Sequence, residues 1–260
     1  MQTGPPRTVL TAFGSTAEPT LMEGGQGRTW RSGDIVLKPV DNSAEAEWRA
    51  ETLAALPESE AFRVPKPIRS VSGNWIVEHW EASELLSGST DPKSWNEAVA
   101  TGEQFHAALA AVPCPEFLAS RDDWWSTADR DSWNLDIALP AEVDDLAAAR
   151  TPMTVPHQLV HGDLLGNVLY EPGLPPAVID WAPYWRPTAW ATAVALIDAI
   201  CWHDAPTVLL DSASPQLALR ALLYRILTDR HAAAARQTPW TPHPAYTPAI
   251  KAVLDRLRQH

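Results

Sequence analysis

Cysteine, lysine and long apolar runs are all scarce in this chain of 260 residues. Its two cysteines, Cys114 and Cys201, are too few for a disulfide scaffold or a cysteine-rich zinc site. The most apolar segment, residues 189–202, is interrupted by Asp198 and is shorter than the roughly 20 residues that a membrane-spanning helix needs. The N-terminal residues contain no apolar run typical of a signal peptide. We therefore expect a soluble protein of the reducing cytoplasm that does not bind membranes.

Basic side chains are also in the minority. Lys and Arg together number 20 against 32 Asp and Glu, which gives a formal net charge of −12. A chain of this charge is a poor non-specific ligand for nucleic acid or for anionic membranes, so neither is expected as a partner. An apolar content of 45% with 20% charged residues is ordinary for a folded protein and excludes disorder as the main state.

The character of the sequence changes near Ala82. Strand-like runs at residues 34–40, 62–70 and 74–80 and a helix over 43–56, with Ser43 as its N-cap, precede it. Residues 95–112, 189–202, 216–235 and 248–258 are typical of helices, and short strands are expected near 157–160, 168–170 and 177–180. These patterns predict an α+β protein with a small β-rich N-lobe at 1–82 and a larger helical C-lobe at 83–260.

One loop concentrates polar groups with catalytic potential. The segment His161 to Asn167 reads HGDLLGN, and Asp180 follows at the end of the next apolar run, AVID. In phosphoryl transfer from ATP, one Asp orients or deprotonates the acceptor hydroxyl, while an Asn and a second Asp supply hard oxygen ligands to Mg²⁺. Each residue alone is equally typical of a turn or a strand end. Their combination between apolar strands favours the catalytic interpretation.

HGDLLGNVLY and AVIDW resemble the catalytic and metal-binding loops of the aminoglycoside phosphotransferase-like kinases, which have a bilobal protein-kinase-like fold. The sequence is also similar to an uncharacterised actinobacterial branch of that superfamily. The resemblance implies that Asp163 is the catalytic base, that Asn167 and Asp180 are Mg²⁺ ligands, and that His161 is a structural support of the catalytic loop. It further implies ATP or GTP as the phosphate donor.

The resemblance also assigns nucleotide-binding residues to the N-lobe. Lys38 lies in a strand-like run where such kinases place the lysine that contacts the α- and β-phosphates. Its partner should be a glutamate on the following helix, either Glu51 or Glu47. An exposed lysine on an edge strand remains the alternative interpretation of Lys38.

Two further segments have both a nucleotide-binding and a purely structural interpretation. The glycines Gly24, Gly25 and Gly27 can bring backbone N–H groups close to phosphates, but they are equally typical of a hairpin turn. The segment ending in Trp80, Glu81 and Ala82 is expected to be the hinge that binds the adenine edge, with Trp80 as a wall. A strand end with a packed tryptophan is the alternative.

The sequence departs from the family pattern at two places. Three residues separate Asp163 from Asn167 where the family usually has four, which leaves the metal role of Asn167 open. The acidic residue that usually supports the catalytic loop is replaced by the stretch 187–190, and Asp198 is the first acid in the helix that follows. Support for the loop must come from elsewhere, or be weaker.

These features predict an ATP- and Mg²⁺-dependent kinase that phosphorylates a hydroxyl of a small molecule. By the resemblance, the acceptor is an aminoglycoside, a sugar or an amino alcohol, and the acidic chain suits a cationic one. The alternative is a nucleotide-binding pseudokinase that acts as a regulatory or interaction module. The short loop, the missing acid and the 13 tryptophans favour that alternative.

Overall fold

The computed structural model describes residues 4–23 and 27–259. The chain divides into two compact units. The first comprises Met1–Ser89 and Leu169–Asp180, and the second comprises Thr90–Val168 and Trp181–His260. Residue 82, where the sequence placed the lobe boundary, lies inside a strand of the first unit. The first segment of this unit continues to Ser89.

The first unit contains an antiparallel five-stranded sheet with the order β1-β2-β3-β5-β4. In the turn between β4 and β5, Glu78 and His79 both have positive φ, at +48° and +63°. This conformation is typical of the two-residue hairpin whose twist matches that of its strands. This turn places Ile76 of β4 opposite Glu81 of β5, and on the other side of β5 the pairing with β3 places Lys38 opposite Glu81. The strands are β1 Thr20–Leu21, β2 Trp30–Ser32, β3 Ile35–Pro39, β4 Ile76–Val77 and β5 Trp80–Glu84.

The strand predicted over residues 62–70 is wrong. In the described part of the chain this segment makes isolated bridges, Arg63 with Ala177 and Pro67 with Ser83, rather than a ladder. Pro65 and Pro67 explain the difference, because a proline has no N–H to donate to a neighbouring strand.

Helix α2 runs over Ser43–Ala55, close to the predicted bounds. Its N-cap is Asn42 rather than Ser43, because the Asn42 side chain accepts a hydrogen bond from the Glu45 N–H at 3.1 Å. Helix α1, Arg7–Ala12, contributes Val9 and Leu10 to a core cluster that also contains Leu37 and Ala82. Trp80 packs against this cluster.

The second unit is mostly helical, as the sequence predicted. In this unit strands β7 Gln158–His161 and β10 Pro183–Arg186 pair antiparallel, and His161 lies opposite Pro183. The helices are α3 Trp95–Leu109, α4 Phe117–Ser120, α5 Trp124–Trp133, α6 Asp144–Ala148, α7 Thr188–Trp202, α8 Pro215–Ala235 and α9 Thr247–Leu257. The other strands of the chain are β6 Ser89–Thr90, β8 Val168–Tyr170 and β9 Ala177–Val178, which form a separate sheet in the order β6-β8-β9. Strand β9 and most of β8 belong to the first unit.

Most of helix α7 lies in the interior, with eleven of its 15 residues buried. Small alanines allow close packing, and Asp198 is a charged side chain among them. A buried carboxylate requires a cationic or hydrogen-bonding partner. None of the helices within residues 4–23 and 27–259 is both long and apolar enough to span a membrane.

Candidate active site

The loop between β7 and β8 is shaped by two glycines. Gly162 donates its N–H to the Ala182 carbonyl, and a Cβ at this position would lie 2.3 Å from Cδ2 of the buried Tyr184 ring. Gly166 has φ +87°, a left-handed conformation that side-chain-bearing residues rarely adopt. The resulting turn lets the Asn167 N–H donate to the Leu164 carbonyl at 3.0 Å.

This short loop brings Asp163 and Asn167 into direct contact. Asn167 Nδ2 donates to the Asp163 carbonyl at 2.6 Å and lies 3.3 Å from Asp163 Oδ2. These contacts use the amide nitrogen of Asn167 rather than its oxygen. The loss of one residue relative to the family pattern therefore does not separate the two side chains.

Two buried histidines hold the start of the loop. The Asp163 N–H donates to His161 Nδ1 at 3.1 Å, and the His161 N–H donates to His106 Nε2 on α3 at 3.0 Å. Burial, with a smaller contribution from His161, lowers the pKa of His106 to about 3. His106 is therefore a neutral acceptor at physiological pH. The supporting role expected of His161 agrees with this geometry and stays a prediction.

Asp163 also has a cationic partner that the sequence did not identify. Arg225 Nη2 on α8 donates to Asp163 Oδ1 at 2.6 Å. The same guanidinium donates from Nε to Asp198 Oδ1 at 2.8 Å and from Nη2 to Asp198 Oδ2. The Asp163 side chain is 48% exposed, whereas those of Arg225 and Asp198 are 12% and 10% exposed. Nothing in the sequence distinguishes Arg225 from the other arginines.

The electrostatics of this triad follow from its burial. Burial raises the pKa of Asp198 to about 6, although the Arg225 guanidinium opposes the shift. Asp198 and Asp163 together raise the pKa of Arg225 well above its usual value despite burial. Nearby, Tyr246 donates to Asp229 Oδ2 at 2.6 Å, which adds a further carboxylate to this part of the second unit.

In the first unit, the structure brings Lys38 together with Asp180. Lys38 Nζ donates to Asp180 Oδ1, and both side chains are about one third exposed. Asp180 has φ +50°, an uncommon conformation for a non-glycine residue that is often found at functional sites. Burial lowers the pKa of Lys38 to about 8, with Glu81 opposing and Arg49 reinforcing the shift. The ammonium form still predominates at pH 7.

The glutamates predicted as partners of Lys38 are not brought to it. Glu47 and Glu51 lie on exposed positions of α2, and in the described chain neither forms an ion pair with Lys38. The helix instead presents Arg49, which donates to Glu81 Oε1 and Oε2 at 2.7 and 2.9 Å. The predicted choice between Glu47 and Glu51 rested on helical spacing alone, which cannot say which face turns toward the sheet.

The predicted hinge residues lie within the sheet. Trp80, Glu81 and Ala82 pair with β3, and the Ala82 carbonyl accepts a hydrogen bond from the Ile68 N–H at 2.8 Å. Their backbone groups are used by the sheet, which favours the alternative of a strand with a packed tryptophan. The chain leaves this strand after Glu84.

The glycine turn is only partly described. Gly24 and Gly25 lie outside the described residues, whereas Gly27 has φ +68° with open space around it. Its phosphate-binding role stays a prediction. Within residues 4–23 and 27–259, no three His, Cys, Asp or Glu side chains are grouped so that they could hold a metal ion.

Comparison with known families places residues 21–184 in the phosphotransferase enzyme family, APH. No curated protein matches the sequence. The fold is similar to a microcompartment-associated aminopropanol kinase, with 17% identity, 96% of this chain and 94% of that chain covered, and a TM-score of 0.59. It is also similar to a choline/ethanolamine kinase family protein from Mesorhizobium loti, with 17% identity, coverage of 95% and 94%, and a TM-score of 0.52.

A third similar structure is the aminoglycoside phosphotransferase APH(4)-Ia, with 15% identity, 97% of each chain covered and a TM-score of 0.53. At these identities the likeness concerns the fold, and it confirms the predicted α+β kinase-like class. The family match extends over more than half of the chain and includes the loop of Asp163 and the strand end at Asp180. The chain belongs to the phosphotransferase enzyme family and is a phosphotransferase of the kinase class, with a hydroxyl group as acceptor.

Proposed function

We propose that this enzyme transfers the γ-phosphate of ATP or GTP, with Mg²⁺, to a hydroxyl of a small amino-alcohol, aminoglycoside or sugar acceptor. The observation that carries the proposal is the state of Asp163. Its carboxylate is 48% exposed, yet its backbone is bound by His161 and Asn167 and one of its oxygens by Arg225. A fixed carboxylate that remains open on one side suits a group that receives a substrate proton.

Asp163 is proposed to act as the general base. Oδ1 is engaged by Arg225, whereas Oδ2 has only the longer contact with Asn167, at 3.3 Å. Oδ2 is therefore the oxygen available to accept the proton of the acceptor hydroxyl as its oxygen attacks phosphorus. Positioning and charge stabilisation supply most of the catalysis in such transfers, so the orientation of this carboxylate matters.

Asn167 and Asp180 are proposed as magnesium ligands. Both offer hard oxygen atoms of the kind that Mg²⁺ prefers, and Asn167 is held to the Asp163 carbonyl through its amide nitrogen rather than its oxygen. Bound Mg²⁺ would neutralise charge on the phosphate oxygens. Lys38, protonated at neutral pH and already paired with Asp180, is proposed to contact the phosphates of the nucleotide.

The acceptor class is supported by the neighbours and by local charge. Two of the similar structures are an aminopropanol kinase and a choline/ethanolamine kinase family protein, and a third is a GDP and kanamycin complex of an aminoglycoside phosphotransferase with a TM-score of 0.53. Asp163, Asp198 and Asp229 outnumber Arg225 in their part of the second unit. This negative balance favours an acceptor with an amino group.

The pseudokinase alternative loses part of its support. Of the 13 tryptophans, all of which lie in described residues, only Trp202 is exposed. The others are at least partly packed, so they do not form a large exposed interaction surface.

The proposal is tested by nucleoside diphosphate formation from Mg-ATP and Mg-GTP. Aminopropanol, ethanolamine, choline, glucosamine and kanamycin are each offered as acceptor, with a reaction without acceptor as the baseline. We expect at least one amino-alcohol acceptor to raise diphosphate formation well above that baseline. Nucleotide binding without turnover on any acceptor would contradict the proposal and favour the pseudokinase.

A further inference from the structure

Arg225 lies between a buried and a half-exposed carboxylate, and the three groups come from different parts of the second unit. Asp198 is on α7, Arg225 is on α8, and Asp163 is on the loop between β7 and β8. The Arg225–Asp198 contact uses two nitrogens and two oxygens, whereas the Arg225–Asp163 contact is a single bond of 2.6 Å. The guanidinium is therefore fixed by Asp198, and Nη2, which donates one hydrogen to Asp198, donates its second to Asp163.

We propose that Arg225 is a positioning residue that orients the carboxylate of Asp163 for proton abstraction, and that buried Asp198 holds Arg225 in place. The inference rests on the proposed function, because it assigns a task to the neighbour of the proposed base. It also identifies the loop support that the sequence lacks, since Asp198 is the first acid after the position where the family's supporting acid is missing.

The packing around Arg225 supports an orienting role. Its neighbours on α8, Tyr224 and Ile226, are buried, and the guanidinium lies 5.1 Å from the centre of the Tyr224 ring. An arginine has a planar, forked set of donors, so fixing one edge on Asp198 fixes the direction of the other. A lysine in this place would offer a point charge without that direction.

A purely structural role explains less of the geometry. Asp198 alone satisfies the charge of Arg225, so the fold does not need a second carboxylate. An ion pair with a side chain that is 48% exposed also contributes little to stability, because solvent screens it. What the contact does change is the freedom of the Asp163 carboxylate.

The chain offers a matched control in the same unit. Arg186 on β10 donates from Nε and Nη2 to the buried Asp129, at 2.8 and 2.7 Å, in the same two-point arrangement. This pair has no contact with Asp163. Replacing either arginine by lysine removes comparable bonds from the fold, but only the change at Arg225 acts on the catalytic loop.

The test compares Arg225→Gln, Arg225→Lys and Arg186→Lys with the wild type, using the acceptor that gives the highest turnover. Thermal melting is measured for each variant to show that it is folded. We expect Arg225→Gln to lower kcat by about 10²-fold, the usual cost of a misplaced catalytic group. The Kd for Mg-nucleotide and the KM for acceptor should change less than about threefold. Arg225→Lys should recover part of kcat, and Arg186→Lys should leave kcat nearly unchanged.

A double variant separates an action through Asp163 from any other effect. If Arg225 acts by orienting Asp163, adding Arg225→Gln to Asp163→Asn should lower kcat little further, because the oriented base is already lost. Two results would overturn the inference while leaving the proposed function intact. One is a double variant whose loss of kcat equals the product of the two single losses. The other is an Arg186→Lys variant that loses as much kcat as Arg225→Lys. A wild type that forms no nucleoside diphosphate with any acceptor would instead overturn the proposed function, and the inference with it.

Discussion

At the scale of single residues, the Lys38–Asp180 pair and the Arg225–Asp163 pair differ in the cation that binds the carboxylate. In the first unit Asp180 is paired with Lys38, whose pKa burial lowers to about 8. In the second unit Asp163 is bound by an arginine that remains charged under all ordinary conditions. Binding of phosphates requires a cation that can exchange partners, and a lysine with its flexible stem suits that task.

Lys38→Ala should therefore weaken nucleotide binding as well as turnover. The variant removes a phosphate contact, and it also leaves Asp180 without its cationic neighbour. We expect the Kd for Mg-ATP or Mg-GTP to rise by about tenfold or more, as the loss of a charge-assisted contact implies. Calorimetric titration measures this change. The exposed Lys93→Ala serves as the control, and an unchanged affinity in Lys38→Ala would remove Lys38 from the nucleotide site.

The structure brings together side chains that the sequence singled out because they lie in a dense motif or belong to a residue type with few copies. Asp163 and Asn167 occur in a dense motif, and Lys38 is one of four lysines. Arg225 and Arg49 have no such signature, since their partners are brought to them only by helix packing. The same reason explains why spacing selected Glu47 and Glu51, whereas the structure directs Arg49 toward the sheet.

At the scale of elements, the catalytic loop depends on close contacts at glycine and histidine positions. Gly162→Ala would place Cβ 2.3 Å from Cδ2 of Tyr184, whose hydroxyl is hydrogen-bonded to Tyr224 and cannot easily move. We expect a loss of about 1–3 kcal/mol in the free energy of unfolding, the usual cost of overpacking. Urea denaturation measures it.

Gly173→Ala is the control for that experiment, because Gly173 has φ +81° but no atom near its missing Cβ. The Gly173→Ala variant should lose free energy of unfolding through backbone strain alone. If Gly162→Ala were as stable as the wild type, the close packing of the loop against Tyr184 would be wrong.

His106 makes the stability of α3 and β7 sensitive to acid. Its pKa is about 3 in the folded protein and near 6.5 when unfolded, so the unfolded state binds the additional proton between these values. The contribution of neutral, buried His106 to the free energy of unfolding is therefore fully present above about pH 6.5 and is lost as the pH falls toward 3. Between pH 7.5 and 4.5 the wild type should lose about 2.7 kcal/mol from this group, since each pH unit below 6.5 costs about 1.36 kcal/mol.

His106→Gln retains a side-chain acceptor for the His161 N–H but removes the titration. Its free energy of unfolding should therefore vary less with pH over that window, and His203→Gln should behave like the wild type. The raised pKa of buried Asp198 makes its contribution to stability fall as the pH rises, opposite to that of His106. This contribution is the same in the wild type and in both histidine variants. Parallel pH profiles for wild type and His106→Gln would contradict the neutral, buried state of His106.

The fold at this scale was partly predictable. The helix over 43–55 and the helices of the second unit follow from apolar spacing. The strand predicted over 62–70 was wrong because prolines interrupt an otherwise strand-like pattern there. The strand predicted over 74–80 is divided by the β4–β5 turn, which was missed because Glu78 and His79 lack the glycine or asparagine typical of such turns.

At the scale of the whole molecule, nucleotide binding should increase the thermal stability of the protein. A ligand that binds only the native state stabilises it by about 2.7 kcal/mol at a concentration of 100 times Kd. For a chain of this size we expect Mg-nucleotide to raise Tm by roughly 5–10 °C. Differential scanning fluorimetry measures the shift with and without Mg²⁺.

Asp180→Ala should remove the magnesium-dependent part of that shift, because it deletes a proposed ligand oxygen. Asp34→Ala, an exposed acid in the first unit, is the matched control. A shift in Asp180→Ala that still depends fully on Mg²⁺ would place the metal elsewhere.

Asp163 is the residue on which the conversion of nucleotide binding into phosphoryl transfer is proposed to depend. Asp163→Asn keeps the size and polarity of the side chain but loses its charge and basicity, and Asp136→Asn provides an exposed control in the same unit. With the best acceptor, the account predicts that Asp163→Asn lowers kcat by about 10²–10⁴-fold while the Kd for Mg-nucleotide stays within about threefold. Full turnover in Asp163→Asn would contradict the account, because another group would then have to accept the proton.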